Sequence, residues 1–304
     1  MSTDAVSIKR NRLNPLRRQK FEGWLFISPL VIGFTVFLIG PLVFSLGISL
    51  TKWNLLQPPQ YIGLSNFKRL LLEDKNFWRA LLNTAYFSFG TIPLGLLAAI
   101  SMAMLMNRKM VGFTFFRAMY FMPIVTSWIA IGLAWRWLYN PEFGVVNWAL
   151  SLVGINGPLW LNDSNWAMPS VIIVNVWRGA GYNMVLLLAG LQGISEHYYE
   201  AARIDGSNWW QEFTNITIPM LTPTIFFILI MSVISSFQVF GAVYIMTNGG
   251  PAGATEVLVW FVWDNAFNNL KMGYGCAVAW FLFMIILGFT LIQWRMGKRW
   301  VFYG

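Results

Sequence analysis

The hydrophobic residues of this chain fall into six long stretches, each long enough to cross a lipid bilayer as a helix. A transmembrane helix needs about 20 consecutive apolar residues. We place the six predicted spans near residues 23–50, 82–106, 113–138, 168–193, 219–246 and 275–295. Because the apolar stretches are continuous rather than alternating, they favour helices over the strands of a membrane β-barrel. The pattern predicts an all-α polytopic membrane protein.

The polar segments between the spans predict short elements at the membrane surface. Val145 to Val153 is expected to form a short interfacial helix. Thr247-Asn248-Gly249-Gly250-Pro251 is a turn signal. The apolar run Val257 to Phe261 that follows is too short to span a bilayer and is expected to lie at the interface.

Composition supports the membrane assignment and excludes other classes. The chain has 304 residues, of which 57% are hydrophobic and 11% charged; soluble domains carry about 25% charged residues. Cys276 is the one cysteine and His197 the one histidine, so neither an internal disulfide nor a metal site is expected. The net charge of +9 does not indicate nucleic-acid binding, because the basic residues cluster at span ends.

The distribution of Lys and Arg predicts that both termini face the cytoplasm. Positive charges are enriched on the cytoplasmic side of membrane proteins. With the N-terminus inside, thirteen basic residues are cytoplasmic: Lys9, Arg10, Arg12, Arg17, Arg18, Lys20, Arg108, Lys109, Arg117, Arg203, Arg295, Lys298 and Arg299. Six are outside: Lys52, Lys68, Arg69, Lys75, Arg79 and Lys271. We therefore divide the chain into a cytoplasmic tail (1–22), a single transmembrane domain (23–295) and a second cytoplasmic tail (296–304).

The predicted topology places a polar loop, residues 194–218, on the cytoplasmic side. Ser195 can cap a helix whose first turn holds Glu196, Asp205-Gly206 ends that helix, and Ser207 can cap a second one. Glu200 either faces a basic groove on another protein or pairs with Arg203 three residues on. A polar loop of this length in such a hydrophobic chain indicates a surface that a partner in water recognises.

The fourth span carries polar residues at helical spacing. Asn175, Arg178 and Tyr182 recur at three and four residues, so they share one helix face. Arg178 lies about ten residues from the outer end, or ~15 Å at 1.5 Å per residue. An arginine at this depth costs at least ~2.5–3.5 kcal/mol on insertion scales, so it indicates a polar cavity, a structural acceptor or a ligand.

The cytoplasmic loop resembles the EAA loop of binding-protein-dependent ABC importer permeases. The matching residues are Glu200, Ala201, Ala202, Asp205, Gly206, Ile216 and Pro219, and Ile218 replaces the usual Leu. Phe26-Ile27-Ser28-Pro29 and Asn248-Gly249-Gly250-Pro251 also match, so the resemblance runs from about residue 20 to 300. The chain resembles sugar-importer permeases of the maltose-transporter type, but it lacks the extra N-terminal spans and large periplasmic insert of the maltose-type subunit. The shorter disaccharide and glycerol-phosphate-type relatives are therefore an equally good model.

This resemblance implies a type I importer fold in a bacterial inner membrane and a defined set of partners. These are a second homologous permease subunit, two ATP-binding cassette subunits, an extracytoplasmic substrate-binding protein and a sugar. The loop is expected to couple to the ATPase. The chain has no Gly-x-x-x-x-Gly-Lys-Ser/Thr loop, so ATP and Mg²⁺ are expected on the partner ATPase, with no cofactor and no catalytic residue in this chain.

The resemblance also implies a set of sugar-binding positions. Counting back from the loop without gaps, family contacts fall on Asn175, Gly179, Tyr182, Ser232, Ser235, Ser236 and Trp128. An apolar family contact falls on Arg178, a departure that indicates a different substrate or a structural role. Helix packing is the alternative role for the three serines, and packing or lipid contact for Trp128.

We therefore expect the permease subunit of an ATP-driven importer for a sugar or sugar-like polyol. The alternative is a secondary transporter driven by an ion gradient. That alternative requires carboxylates or a discontinuous ion site within the spans, and the six spans contain no Asp or Glu except Glu22 at one edge.

Overall fold

A computed structural model describes residues 15–107 and 112–302 of the chain, with side chains from residue 19 onward. Parts of the predicted tails and five of the predicted cytoplasmic basic residues lie outside these ranges: Lys9, Arg10, Arg12, Arg108 and Lys109. The described part is predominantly helical. It contains one short antiparallel pair, β1 (Thr51–Lys52) and β2 (Gln60–Tyr61), in the first outer loop.

The helices follow one another along the chain with short connections. They are α1 (Pro15–Phe34), α2 (Gly40–Ser49), α3 (Ser65–Leu72), α4 (Lys75–Met106), α5 (Phe113–Val125), α6 (Trp128–Leu138), α7 (Val145–Ser151), α8 (Ala167–Gln192), α9 (Glu196–Ile204), α10 (Trp209–Glu212), α11 (Ile218–Phe237), α12 (Gly241–Met246), α13 (Leu258–Trp263) and α14 (Met272–Trp300). π-helical segments, Thr35–Ile39 and Phe213–Thr217, join α1 to α2 and α10 to α11.

Within the described ranges, five helical stretches are long and apolar enough to cross a membrane, and α5 with α6 makes a sixth if the bent pair is one span. The five are Gln19–Ser49, Lys75–Met106, Ala167–Gln192, Trp209–Phe237 and Met272–Trp300. The predicted all-α polytopic fold is confirmed. The helices extend beyond the predicted spans: α1 begins at Pro15, inside the predicted tail, and α14 ends at Trp300 rather than at residue 295.

The third span is broken, where the sequence predicted one continuous helix. α5 and α6 meet at an angle of 100° across Thr126 and Ser127. The Ser127 side chain caps α6 by accepting a hydrogen bond from the Ile129 amide at 3.3 Å. A helix that ends inside a bilayer leaves its last carbonyls without intrahelical partners, so the break requires donors from elsewhere in the fold.

The predicted fifth span, 219–246, is also two helices. α11 ends at Phe237, Phe240 leaves helical geometry, and the short α12 begins at Gly241. At its other end α11 is continuous with α10 through the π-helical segment. The loop at residues 194–218 is therefore the direct extension of a membrane-spanning helix.

α8 is the centre of the bundle. It packs along α4, and in its C-terminal half the small Ala99 and Ala103 of α4 are buried with Met184 and Leu187. A Cβ atom at Gly181 would coincide with the carbonyl of Tyr120 in α5. The backbones of α5 and α8 therefore touch, the close approach that small residues permit between membrane helices.

The first span packs little against the rest of the chain. Only 6% of its most apolar window is buried, and it contacts the bundle through α2, which lies along α14. One hydrogen bond joins the two, from the Trp280 indole nitrogen to the Ser45 hydroxyl at 3.1 Å. The remaining surface of α1 and α2 is apolar and faces outward.

The outer connections are ordered by polar contacts to α4. The Arg79 guanidinium pairs with the Glu256 carboxylate at 2.7 Å, and the Asn83 amide donates to the carbonyls of Gly253 and Glu256, each at 3.0 Å. α7 is the short helix that the sequence predicted near 145–153, and the apolar run 257–261, predicted to lie at the interface, contains the first residues of α13. These contacts hold the loop before α14 over the outer end of the bundle.

Candidate functional site

The loop at residues 194–218 is a pair of short helices, α9 and α10, with a tight turn between them. α9 ends before Gly206, which adopts a φ of +83° that side-chain-bearing residues rarely take. Asn208 then caps α10 through a reciprocal capping box with Gln211. The prediction that Ser207 caps this helix is wrong, because Asn208, one residue later, holds that position. Ser195 lies at the start of α9 as predicted, but its side chain makes no capping hydrogen bond.

Two contacts brace the two helices of the loop. The Arg203 Nε donates to the Glu212 carboxylate at 2.9 Å, and this hydrogen bond and charge raise the pKa of Arg203. The hydroxyls of Tyr199 and Thr217 lie 3.0 Å apart. Both contacts join α9 to the chain that follows the turn, so they fix the angle between the two arms.

The predicted coupling residues divide into an exposed and a packed group. Glu200, Ala201, Asp205 and Gly206 are exposed on α9 and its turn, whereas Ala202, Ile216 and Pro219 are half-buried beneath them. The alternative that Glu200 pairs with Arg203 is not what the fold adopts, because Arg203 pairs with Glu212. Glu200 makes no hydrogen bond or ion pair with any residue in the described ranges.

Sequence reasoning did not assign a role to the apolar part of this surface. Ile204 is 86% exposed, and Trp209 and Trp210 are 62% and 60% exposed. Trp209 stacks on Phe213 with ring centroids 5.6 Å apart. Large exposed aromatic residues of this kind are typical of interface anchors, and the Trp-Trp doublet in an otherwise polar loop was the available signal.

A cavity of about 470 Å³ lies among α4, α6, α8 and α11, within the range of small-molecule sites. Seven of the eight predicted substrate-binding residues line it: Trp128, Asn175, Arg178, Gly179, Tyr182, Ser232 and Ser235. They come from three separate spans. Ser236 does not line the cavity: it is 3% exposed, and its hydroxyl donates to the Val233 carbonyl at 3.1 Å.

Several polar side chains in the cavity have no protein partner. The side chains of Asn175, Tyr182, Asn183 and Gln238 make no hydrogen bonds within the described residues. Polar groups inside a membrane bundle are costly without partners. These four therefore offer amide and hydroxyl groups to a ligand, and Trp128 and Tyr182 add aromatic surface to the lining.

Arg178 lines the cavity and also contacts the break in the third span. Its Nη2 donates to the carbonyls of Ile124 at 2.9 Å and Thr126 at 3.3 Å, where α5 ends. Its guanidinium lies over the Trp128 ring, 4.5 Å from the centroid. Arg178 thus supplies the donors that the break requires, which is the structural role that the sequence left open beside a ligand role.

Trp128 is held between two parts of the chain distant in sequence. Arg178 covers one side of its ring, and a Cβ atom at Gly241 would lie 3.0 Å from the Trp128 Cγ. The absence of a side chain at Gly241 lets α12 pack against the indole. Sequence reasoning missed this contact, as it missed the lining residues Thr91, Gly95 and Met231, because each depends on how distant spans pack.

A second hollow on the outer face, about 300 Å³, is lined by charged residues including Asp74 and Glu256. These acids already have partners: Asp74 caps α4 and accepts from the Tyr274 hydroxyl at 2.6 Å, and Glu256 pairs with Arg79. Among the described residues no group of His, Cys, Asp or Glu could hold a metal ion. The central cavity is therefore the better candidate for a ligand site.

Comparison with protein families identifies the chain. Residues 91–298 match the family described as binding-protein-dependent transport system inner membrane component. The chain is 36% identical over 98% of its length to the probable ABC transporter permease protein YesP of Bacillus subtilis, covering 97% of that protein. It is 33% identical over 92% of its length to the trehalose/maltose transport system permease protein MalF of Thermococcus litoralis, covering 95% of it.

The fold agrees with this assignment. The structure matches a chain of a bacterial ABC transporter that imports the acidic polysaccharide alginate with a TM-score of 0.81, covering 94% of this chain and 99% of that one at 24% identity. The chain is a multi-pass membrane protein with a transport role rather than a catalytic one. It belongs to the family of binding-protein-dependent transport system inner membrane components and is a permease subunit of an ABC importer.

Proposed function

We propose that this chain forms part of the translocation pathway for a sugar or sugar-like polyol and is coupled to a separate ATPase through residues 195–218. The central cavity is the observation that carries the cargo assignment. The names of several relatives support it, among them the MalF protein above and the lactose transport system permease protein LacF of Rhizobium radiobacter, 35% identical over 91% of this chain.

In the proposed site, neutral hydroxyl groups of the cargo bind the unpartnered amides and hydroxyls of the lining. Asn175, Tyr182 and Ser232 lie within reach of one cavity. Trp128, half-buried beside Arg178, adds apolar indole surface to the cavity wall. Gly179 keeps the cavity open, since a Cβ atom there would meet nothing within 4 Å.

In the proposed coupling role, Glu200 and the exposed apolar residues of the loop dock into a groove on the ATPase. Glu200 is free of intramolecular ion pairs in the described part of the chain, so its charge is available to a basic or donor-rich partner. Ile204, Trp209 and Trp210 supply apolar anchors. Because α10 is continuous with α11, a movement of the docked loop would be transmitted to the spans that line the cavity.

The proposal includes the partners and orientation expected from the sequence. The partners are a second homologous permease, two ATPase subunits that bind ATP and Mg²⁺, and an extracytoplasmic binding protein. Both termini and the 194–218 loop face the cytoplasm of a bacterial inner membrane. The surface of α1 and α2, which is mostly exposed in this chain, is available for lipid or for the second permease.

An ion-gradient-driven secondary transporter is not supported. Carboxylates within the spans are the usual sites of proton and sodium coupling. The stretches 82–138, 168–193, 219–246 and 275–295 contain no Asp or Glu.

Affinity purification of the tagged chain in mild detergent, followed by an ATPase assay, tests the proposal. We expect a second permease and a P-loop ATPase to co-purify, and hydrolysis to rise when a binding protein and its sugar are added. Recovery of the chain without an ATPase, or hydrolysis that no sugar stimulates, would contradict it.

A further inference from the structure

The central cavity carries one full positive charge and no acid to balance it. Arg178 is the one charged residue among the described residues that line it. The twelve Asp and Glu residues of the chain all lie outside the stretches that surround the cavity, 82–138, 168–193 and 219–246. Among the described residues, no acid forms an ion pair with Arg178.

The contacts that Arg178 does make offset its charge only in part. The carbonyls of Ile124 and Thr126 and the face of Trp128 are dipoles or a quadrupole rather than opposite charges. Its Nε is enclosed without a hydrogen-bond partner among the described residues. Arg178 is half-buried, and a charge that is partly removed from water attracts an anion more strongly than it would in bulk water. The site is therefore electrostatically incomplete until an anion enters.

We infer that the cargo is an anionic saccharide, a sugar that bears a carboxylate or a phosphate, whose charged group lies against Arg178. The inference rests on the proposed function and names its substrate class. The guanidinium is the group that best matches carboxylate and phosphate oxygens. The neutral amides and hydroxyls of Asn175, Tyr182, Asn183 and Gln238 remain for the hydroxyl groups of the same sugar.

The expected preference for an anionic sugar depends on the charge of Arg178, so it should belong to the cavity alone. Arg136 lies in α6, is exposed, and lines a separate hollow near Tyr244 and Asn248. It donates to the Ile245 carbonyl at 3.4 Å. Arg136 thus provides a matched control: it also bonds a carbonyl of another helix, but it lies outside the cavity.

The test uses three probes that differ only at the sixth carbon: D-galactose, D-galacturonate and D-galactose 6-phosphate. The complex purified through the tagged full-length chain is placed in lipid nanodiscs without binding protein, and dissociation constants are measured by saturation-transfer NMR. We expect both anions to bind at least about tenfold more tightly than galactose, because charge-assisted hydrogen bonds are roughly twice as strong as neutral ones. The preference should fall as salt is added. The two anions together distinguish a carboxylate from a phosphate ester as the preferred group.

Substitutions at Arg178 and Arg136 test whether Arg178 causes the preference for anions. R178Q should bind the three probes alike, R178K should keep most of the preference, and R136Q should behave as the wild type. Equal binding of galactose and the anions by the wild type would overturn the inference and indicate an acid from the partner permease near Arg178. An anion preference that survives in R178Q would overturn it as well.

Failure of this inference is distinguishable from failure of the proposed function. If the ATPase co-purifies and a neutral sugar stimulates hydrolysis while the anions show no advantage, the permease role stands and the anionic cargo is wrong. If R178Q does not assemble with its partners, the wild-type preference and its salt dependence decide the question. Assembly is checked by co-elution of the ATPase in size-exclusion chromatography.

Discussion

The loop at residues 194–218 and the central cavity are stabilised by different kinds of contact. The loop is braced by contacts between near neighbours in sequence, Arg203 with Glu212 and Tyr199 with Thr217. The cavity depends on contacts between distant segments, such as Arg178 with the carbonyls of Ile124 and Thr126. The predicted contact residues of the loop, such as Glu200, are exposed at the surface. The predicted contact residues of the cavity line a hollow between helices.

In the loop, the residues expected to contact a partner are not the ones that stabilise the fold. Around the cavity, the same residues have both roles. An exposed residue such as Glu200 can be changed without disturbing the packing around it. A residue such as Arg178 supports the break in the third span and also lines the cavity. Substitutions in the loop should therefore affect coupling alone, and substitutions around the cavity should affect cargo binding and stability together.

The largest effect is expected where the backbones of α8 and α5 leave no room for a side chain. Gly181→Leu would place a side chain on the Tyr120 carbonyl and force α5 away from α8. We expect loss of the assembled protein, measured as the monodisperse fraction in fluorescence-detected size-exclusion chromatography. Gly288→Ala in α14 is the matched control, because a Cβ atom there meets nothing within 4 Å. Normal yield of Gly181→Leu would contradict the backbone contact.

Glu200→Lys should abolish coupling while the protein remains folded. The substitution reverses an exposed charge that has no ion-pair partner within the described residues. We expect ATP-driven uptake to fall to background at matched expression, with an unchanged melting temperature. Glu142→Lys, an exposed acid in the connection between α6 and α7, is the control and should transport normally. Normal uptake by Glu200→Lys would exclude the docking role.

Arg178→Ala should change cargo recognition and stability at the same time. Removal of the guanidinium leaves the carbonyls of Ile124 and Thr126 without donors, and each buried unsatisfied group costs about 1–3 kcal/mol. Thermal unfolding and cargo-stimulated ATPase activity, measured on the same preparation, check this. A lower melting temperature with an unchanged substrate profile would restrict Arg178 to its structural role.

The smallest effect is expected from removal of the ion pair between Arg203 and Glu212 in the loop. Arg203 is exposed, and surface ion pairs contribute little to stability. Arg203→Ala should leave the melting temperature almost unchanged but increase hydrogen exchange of the α9 and α10 amides, since the two arms lose one of their two contacts. If hydrogen exchange of these amides equals that of the wild type, the Tyr199–Thr217 contact alone is sufficient to hold α9 and α10 together.

The parts that could be predicted from sequence are those set by local pattern. Apolar runs gave the spans, the Asp205-Gly206 turn divided the loop, and helical spacing placed Asn175, Arg178 and Tyr182 on one face. For Ser236 the packing alternative fits the fold, because this serine is buried and does not line the cavity. Small polar residues are found in helix packing as well as in binding sites, so spacing alone does not separate the two roles.

The parts that could not be predicted depend on long-range packing. Thr126 and Ser127 alone do not indicate a 100° break, because the donors that stabilise it come from Arg178, about fifty residues further along the chain. The contact of Gly241 with Trp128 likewise joins segments more than a hundred residues apart. Such contacts become visible only when the spans are assembled.

Site-directed cross-linking tests most directly the claim that the loop, rather than the opposite face, engages the ATPase. In a Cys276→Ala background, Ala201→Cys lies on the exposed loop and Ser151→Cys on the exposed end of α7. The proposed topology predicts that a thiol-directed cross-linker joins Ala201→Cys to the co-purified ATPase and leaves Ser151→Cys unlinked. An adduct formed through Ser151→Cys, with none through Ala201→Cys, would contradict both the orientation and the coupling role.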